Sequence, residues 1–165
     1  MREGNLGGVR AEQPITERER RRSQPEEYGE QCGGDGGVPY RVFARPPTQI
    51  RKVTVWHRQY IDGIQLATAD AVLPKIGGTG RHRDVRVDCF ELEPGEFLTG
   101  ISVEYWNLLD RITFHSNLRS YGPYGGSGGQ VRKELSVPPG RAVAGFTGRH
   151  WDFVDSIQLM ITPEA

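Results

Sequence analysis

Gly148-Arg149-His150-Trp151-Asp152, running on into Phe153-Val154-Asp155-Ser156-Ile157-Gln158-Leu159, joins a glycine and a carboxylate four residues apart to a strand-like run. The chemistry such a stretch suits is recognition. A tight loop presents one ionised acid as an acceptor, and backbone amides brought close by glycine serve as donors. Bond-making chemistry is a poorer match. Asp152 and Asp155 could suggest a paired-carboxylate hydrolase, but they lie three apart across a loop and a strand, and Asp155 belongs to a repeated element. His57, His82, His115 and His150 show no metal-ligand spacing, and Cys32 and Cys89 lie 57 residues apart. There is no Gly-x-Ser-x-Gly, and Gly77-Gly78-Thr79-Gly80 lacks the Lys-Ser/Thr of a phosphate loop. The expectation is therefore no catalysis, no metal and no cofactor.

Positioning such a loop requires a rigid frame, and a repeat supplies one. Asp-x-Ile occurs as Asp62-Gly63-Ile64, Asp110-Arg111-Ile112 and Asp155-Ser156-Ile157, with gaps of 48 and 45 residues. Glycine loops begin at Gly33, Gly77 and Gly125, with gaps of 44 and 48, and precede the Asp-x-Ile elements by 29, 33 and 30 residues. Two markers sharing one period and phase define a repeat architecture. Within it, alternating apolar runs predict three hairpins: 50–56 with 60–66, 98–105 with 108–114, and 143–146 with 153–161. Further strands are predicted at 38–43, 85–90 and 131–137. About four short strands per copy make a small antiparallel sheet, and three such sheets close around one axis as a triangular prism. The repeated aspartates are expected to bond backbone amides within their hairpins.

Composition bounds the rest. A chain of 165 residues with net charge zero, 22 glycines and 11 prolines favours short strands and tight turns, and offers no bulk charge for nucleic acid or an anionic membrane. No apolar run approaches the ~20 residues of a membrane helix. Residues 1–27 hold few large apolar side chains and balance six arginines with six glutamates, the run Glu17–Arg22 among them. They predict a disordered charged tail ahead of one domain over 28–165. No secretory signal is visible, and the localisation stays open, a cytoplasmic and a non-classically released protein both fitting. Cys32 and Cys89 fit either a pair or two free thiols.

From Tyr28 onward the chain resembles the jacalin-related lectins. The matching features are the Gly33–Gly37 loop, Tyr121-Gly122-Pro123-Tyr124-Gly125-Gly126, and Gly148-x-x-x-Asp152 continuing into Val154-Asp155-Ser156-Ile157. The resemblance implies an all-β, three-sheet β-prism that binds carbohydrate without metal or catalysis. It further implies that Asp152 accepts from two sugar hydroxyls, that the amides of Arg149 and His150 donate, and that the amide of Gly37 completes the site. Closely spaced hydroxyls, each both donor and acceptor, suit a carboxylate beside open amides. Trp151 reads either as an apolar wall for the sugar's C–H face or as a side chain packed on its neighbours. Galactose preference in this family accompanies cleavage before the first glycine loop; here the loop is internal, so mannose- or glucose-type glycans are expected. The other two hairpins lack a glycine four before their aspartates, so one site per chain is expected. A single shallow site implies ~millimolar affinity for a monosaccharide and a homo-oligomer for avidity. The alternatives are a galactose-binding lectin, or a protein-interaction module on the same prism with Arg81-His82-Arg83 and Arg132-Lys133 as a basic patch.

Overall fold

The computed structural model describes residues 13–14, 16–17, 24–78 and 84–164. Twelve strands carry the fold: β1 (Glu26–Gly33), β2 (Val38–Phe43), β3 (Lys52–His57), β4 (Ile61–Ala67), β5 (Ile76–Gly77), β6 (Arg86–Glu91), β7 (Leu98–Tyr105), β8 (Leu109–Ser116), β9 (Ser120–Gly125), β10 (Val131–Ser136), β11 (Arg141–His150) and β12 (Val154–Pro163). They form three four-stranded antiparallel sheets, ordered β1-β12-β11-β2, β5-β4-β3-β6 and β10-β7-β8-β9. The expected all-β prism is present.

All three sheets share one plan. A hairpin occupies the centre, and the strands entering and leaving a glycine loop flank it on the two edges. In two sheets hairpin and loop follow one another in the chain. The remaining sheet takes its edges β1 and β2 from the N-terminal side and its hairpin β11–β12 from the C-terminal side, with Glu26 opposite Ile161. Each glycine loop therefore belongs to the hairpin preceding it cyclically, not to the one about 30 residues ahead that the repeat count had paired with it. The strands entering the loops, β1, β5 and β9, are the elements the alternation did not reveal. They are short or glycine-interrupted edges with little apolar periodicity.

Inward positions of the three sheets meet in one core. Ile64, Ile112 and Ile157, the isoleucines of the Asp-x-Ile repeat, are fully buried, together with Phe114, Phe146, Leu66 and Ile101. Phe114 packs edge-on against Phe146 at 6.1 Å, and Phe90 stacks on Tyr121 at 3.9 Å. The thiols are free: Cys32 is buried and Cys89 exposed.

The tail expected over 1–27 lies mostly outside the described residues, as do the charged run after Glu17 and the Arg81-His82-Arg83 cluster. Its boundary is corrected at one end. Glu26 and Glu27 belong to β1, because backbone pairing with Ile161 and Met160 orders the start of this edge strand although both side chains remain exposed. A core truncation measures the shared packing: Ile157→Ala, at the centre of the sheet joining the chain's two ends, should cost about 2–5 kcal/mol in urea denaturation with an unchanged m-value.

Candidate functional site

The three hairpins end in identical geometry. Opposite residues His57 and Ile61, Tyr105 and Leu109, and His150 and Val154 close three-residue turns, each following a register irregularity that kinks the strand. The turns are Arg58-Gln59-Tyr60, Trp106-Asn107-Leu108 and Trp151-Asp152-Phe153. In each, the first residue's amide donates to the third residue's carbonyl at 3.0–3.1 Å. The second residue past each turn is a buried aspartate: Asp62, Asp110 and Asp155.

Each aspartate carries a glycine loop on its main chain. Gly34 donates to the Asp155 carbonyl at 2.9 Å, Gly78 to that of Asp62 at 2.8 Å, and Gly126 to that of Asp110 at 3.0 Å. The other side of each glycine faces the turn of a neighbouring sheet. A Cβ on Gly34, Gly78 or Gly126 would lie 2.2, 2.2 or 2.6 Å from the carbonyl oxygen of Asn107, Asp152 or Gln59. No side chain fits there. Loops and turns thus form a closed ring at one end of the prism, every loop wedged between its own hairpin and the next sheet's turn.

Side chains just ahead of the turns lock this ring. Nδ1 of His150 accepts from the Gly77 amide at 2.7 Å, and Nδ1 of His57 accepts from the Gly125 amide at 2.9 Å. With Nδ1 an acceptor, the His57 proton resides on Nε2, which faces Asp88 at 2.7 Å. Tyr105 holds the equivalent place in the remaining sheet, opposite Leu109 across its turn. Burial lowers the His150 pKa from its ordinary 6.5, keeping the ring neutral and able to accept.

The first glycine loop, Gly33-Gly34-Asp35-Gly36-Gly37, lies over the last hairpin, as expected. The carboxylate beneath it is that of Asp155. A Cβ on Gly36 would sit 2.6 Å from Asp155 Oδ2, and one on Gly37 3.0 Å from Oδ1. Gly37 also takes a left-handed φ of 72° and passes the His150 carbonyl too closely for any side chain. Burial raises the Asp155 pKa; Arg149 opposes this and Asp152 adds to it. The Arg149 guanidinium clamps the loop from its carbonyl side: Nε donates to the carbonyls of Asp35 and Gly36, both at 3.1 Å, and an Nη donates to that of Gly37 at 2.7 Å. With the carbonyls turned to the guanidinium, the amides of Gly36 and Gly37 have no hydrogen-bond partner among the described residues.

The six residues expected to form the site are therefore brought to one place, but several of their roles change. Gly148, Arg149 and His150 lie in β11, not in a loop. Gly148 sits mid-sheet between Ile157 and Tyr40, where a Cβ would come 2.2 Å from the Ser156 carbonyl oxygen. The Arg149 amide is not open, since it donates to Ser156 Oγ at 2.9 Å. Asp152 is an exposed turn residue whose backbone packs on Gly78, the counterpart of Gln59 and Asn107. Trp151 is 67% exposed beside it. Asp155, a member of the Asp-x-Ile repeat, is the carboxylate under the loop, and Asp152, four residues after Gly148, is on the turn.

A ring of wedged glycine loops over buried carboxylates closes one end of a three-sheet prism. The sequence model of the Jacalin-like lectin domain matches residues 29–160. A mannose/glucose-specific lectin of Parkia pendula is 30% identical over 149 residues, covering 80% of this chain; the chain spans only 31% of that relative. Griffithsin, from a Griffithsia species, is 28% identical over 77% of this chain and 90% of its own length. Among solved structures, a mannose-specific jacalin-related lectin of Morus nigra in complex with mannose superposes with a TM-score of 0.71 at 25% identity, covering 85% of this chain and 96% of its own. The chain belongs to the jacalin-like lectin domain family.

The histidine latch predicts a pH effect. His150 is neutral in the fold with a lowered pKa, so its contribution is present above the ordinary 6.5 and is lost as pH falls through the lower folded value. Chemical denaturation across pH 4–8, a span chosen to bracket that titration, should show a loss of stability in acid that His150→Ala lacks.

Proposed function

We propose that this chain binds carbohydrate, of mannose or glucose type, in the cleft between the first glycine loop and the last hairpin, and carries out no chemistry on it. The observation that carries this reading is Asp155 lying beneath Gly36 and Gly37, whose amides are unpartnered. The carboxylate accepts from two neighbouring sugar hydroxyls, and the glycine amides donate to a third oxygen. The two kinds of group answer the two faces of a hydroxyl pair. Arg149 acts through its side chain by holding the loop's carbonyls, so the donors are already oriented when ligand arrives. Asp152 and His150 form the rim, and the exposed Trp151 ring offers a flat apolar face to the sugar's C–H groups.

The mannose or glucose preference is supported by the printed specificities of the Parkia and Morus nigra lectins. It is supported also by the continuity of the chain through β1 into the first loop, which leaves no free amino group at the site. Multivalent presentation, whether by self-association or by tandem copies, raises a weak single-site affinity to a useful one.

A glycan array carrying mannosides and galactosides tests the reading. Charge-assisted hydrogen bonds are worth about 1.5–3 kcal/mol each, so Asp155→Asn should reduce binding at this site by at least about tenfold with the circular dichroism spectrum retained. Asp152→Asn should have the smaller effect; the reverse order would return the acceptor role to Asp152. Wild-type binding should also weaken in acid, with a midpoint above the ordinary aspartate value of 3.8, because burial raises the Asp155 pKa and protonation removes the acceptor charge. Absence of binding to every neutral glycan would favour a protein-interaction role.

A further inference from the structure

We propose that the end of the prism opposite the glycine loops carries a separate binding site for a small aromatic cation, a flat apolar body of one or two rings bearing a protonated amine. The site shares no residue with the cleft proposed for carbohydrate and does not depend on that reading.

The chain makes room at this end in one copy of the repeat. Three connections lead from a strand leaving a glycine loop to the next hairpin: residues 44–51 after β2, 92–97 after β6 and 137–140 after β10. The first, at eight residues against six and four, is the longest. The second is drawn onto the fold by the buried Glu96 carboxylate, which accepts from the Glu93 amide at 2.9 Å, the Ser116 hydroxyl at 2.6 Å and the Tyr121 hydroxyl at 2.7 Å. The first is tied at its two ends. The Ala44 amide donates to the Ala144 carbonyl at 2.9 Å, and the Arg51 amide to that of Ala67 at 2.7 Å. Between them the Thr48 amide closes a turn on the Arg45 carbonyl, and the rings of Pro46 and Pro47 stiffen that turn. A cavity of about 270 Å³ lies beside this loop, bordered also by the ends of β7, β11 and β12 that lie away from the turns.

The lining selects the ligand. Its walls are apolar: the two proline rings, Phe97 and the small Ala142 and Ala144. An apolar cavity of roughly 150 Å³ takes one benzene ring, so the space here admits one ring or two fused rings. Proline and phenylalanine faces suit a flat body. The lining holds one charge, the carboxylate of Glu164, and no lysine, arginine or histidine. Glu164 is fixed just beyond β12, its amide donating to the Gly140 carbonyl at 2.9 Å. Among the described residues its carboxylate has no hydrogen-bond or ionic partner, and neither has the side-chain amide of Gln49. An unpaired acid at the rim of an apolar pocket favours a cationic head group and disfavours an anionic one. The Gln49 carbonyl offers the same head group a second acceptor.

Titration of the 15N-labelled full chain with tryptamine at neutral pH and low ionic strength, to concentrations on the order of 10 mM, tests the site. The amides of Gln49, Phe97, Ala144 and Glu164 should shift together with a Kd on the order of a millimolar, while those of Gly36 and Gly37 stay still. Indole-3-propionate carries the same ring with an anionic head. It should bind at least about threefold more weakly, and Glu164→Gln, at an exposed position, should remove that difference. Ala142→Leu, which narrows the cavity, should weaken tryptamine by at least about tenfold. Should that variant fail to fold, Glu164→Gln and the two head groups decide the outcome. Still pocket amides, shifts confined to the glycine-loop end, equal binding of amine and acid, or tryptamine binding undiminished in Ala142→Leu would each overturn the site. So would movement of the same amides on dilution without any probe, which would show that a second copy covers the cavity.

Discussion

The bond from a glycine amide to the main-chain carbonyl of a buried aspartate, made three times, is the constraint on which the rest of this molecule depends. It fixes each loop to its hairpin, and it leaves each glycine so close to the neighbouring sheet's turn that a methyl group could not be accommodated. A sheet edge, a loop and a turn from the next sheet are joined at one point. Three such points in cyclic order close the prism at one end. Because a single extra carbon at any of them would push a turn away from its loop, glycine there is a requirement of packing before it is a requirement of ligand approach.

The same geometry places the aspartate side chains. Each turn follows a kink in its first strand, and each aspartate is the second residue of the returning strand, behind a fully buried Ile61, Leu109 or Val154. Alternation then sends the apolar residue into the core and the carboxylate to the opposite side, beneath the loop. Frame and proposed recognition site are built from the same atoms. The carbonyl of Asp155 anchors the loop, and its carboxylate faces the space that the loop's free amides border. Arg149 divides the loop's polar groups by claiming its carbonyls and leaving its amides.

Symmetry of the frame does not make its three turns alike. One residue per turn, Trp151, Trp106 or Arg58, distinguishes them. An indole leaves the carboxylate open and adds an apolar face beside it. A guanidinium reaches back to Asp62 and satisfies that charge within the chain. The side chain at this position can therefore change while the fold stays intact, because the turn's hydrogen bond uses only backbone atoms.

The period of the Asp-x-Ile elements and glycine loops, the alternating hairpins and the all-β prism were legible in the sequence, because they are written in spacing and in one-sided apolarity, which act locally. The meeting of the last hairpin with the first glycine loop, where we propose the site, was legible too, through the resemblance those motifs carry. The identity of the buried carboxylate was not. Glycine four residues before an aspartate is satisfied on paper by Gly148 and Asp152, but Gly148 belongs to the middle of a sheet, and the kink between Arg149 and His150 shifts the turn by a residue. Edge strands β1, β5 and β9 stayed hidden because each buries only one or two side chains, such as Cys32, Ile76 and Tyr121, too few to show an apolar alternation. Which loop meets which hairpin, and which carboxylate lies under which amides, depends on contacts between chain segments more than a hundred residues apart in the case of Gly34 and Asp155. Only the folded arrangement of three sheets around a common core could decide them.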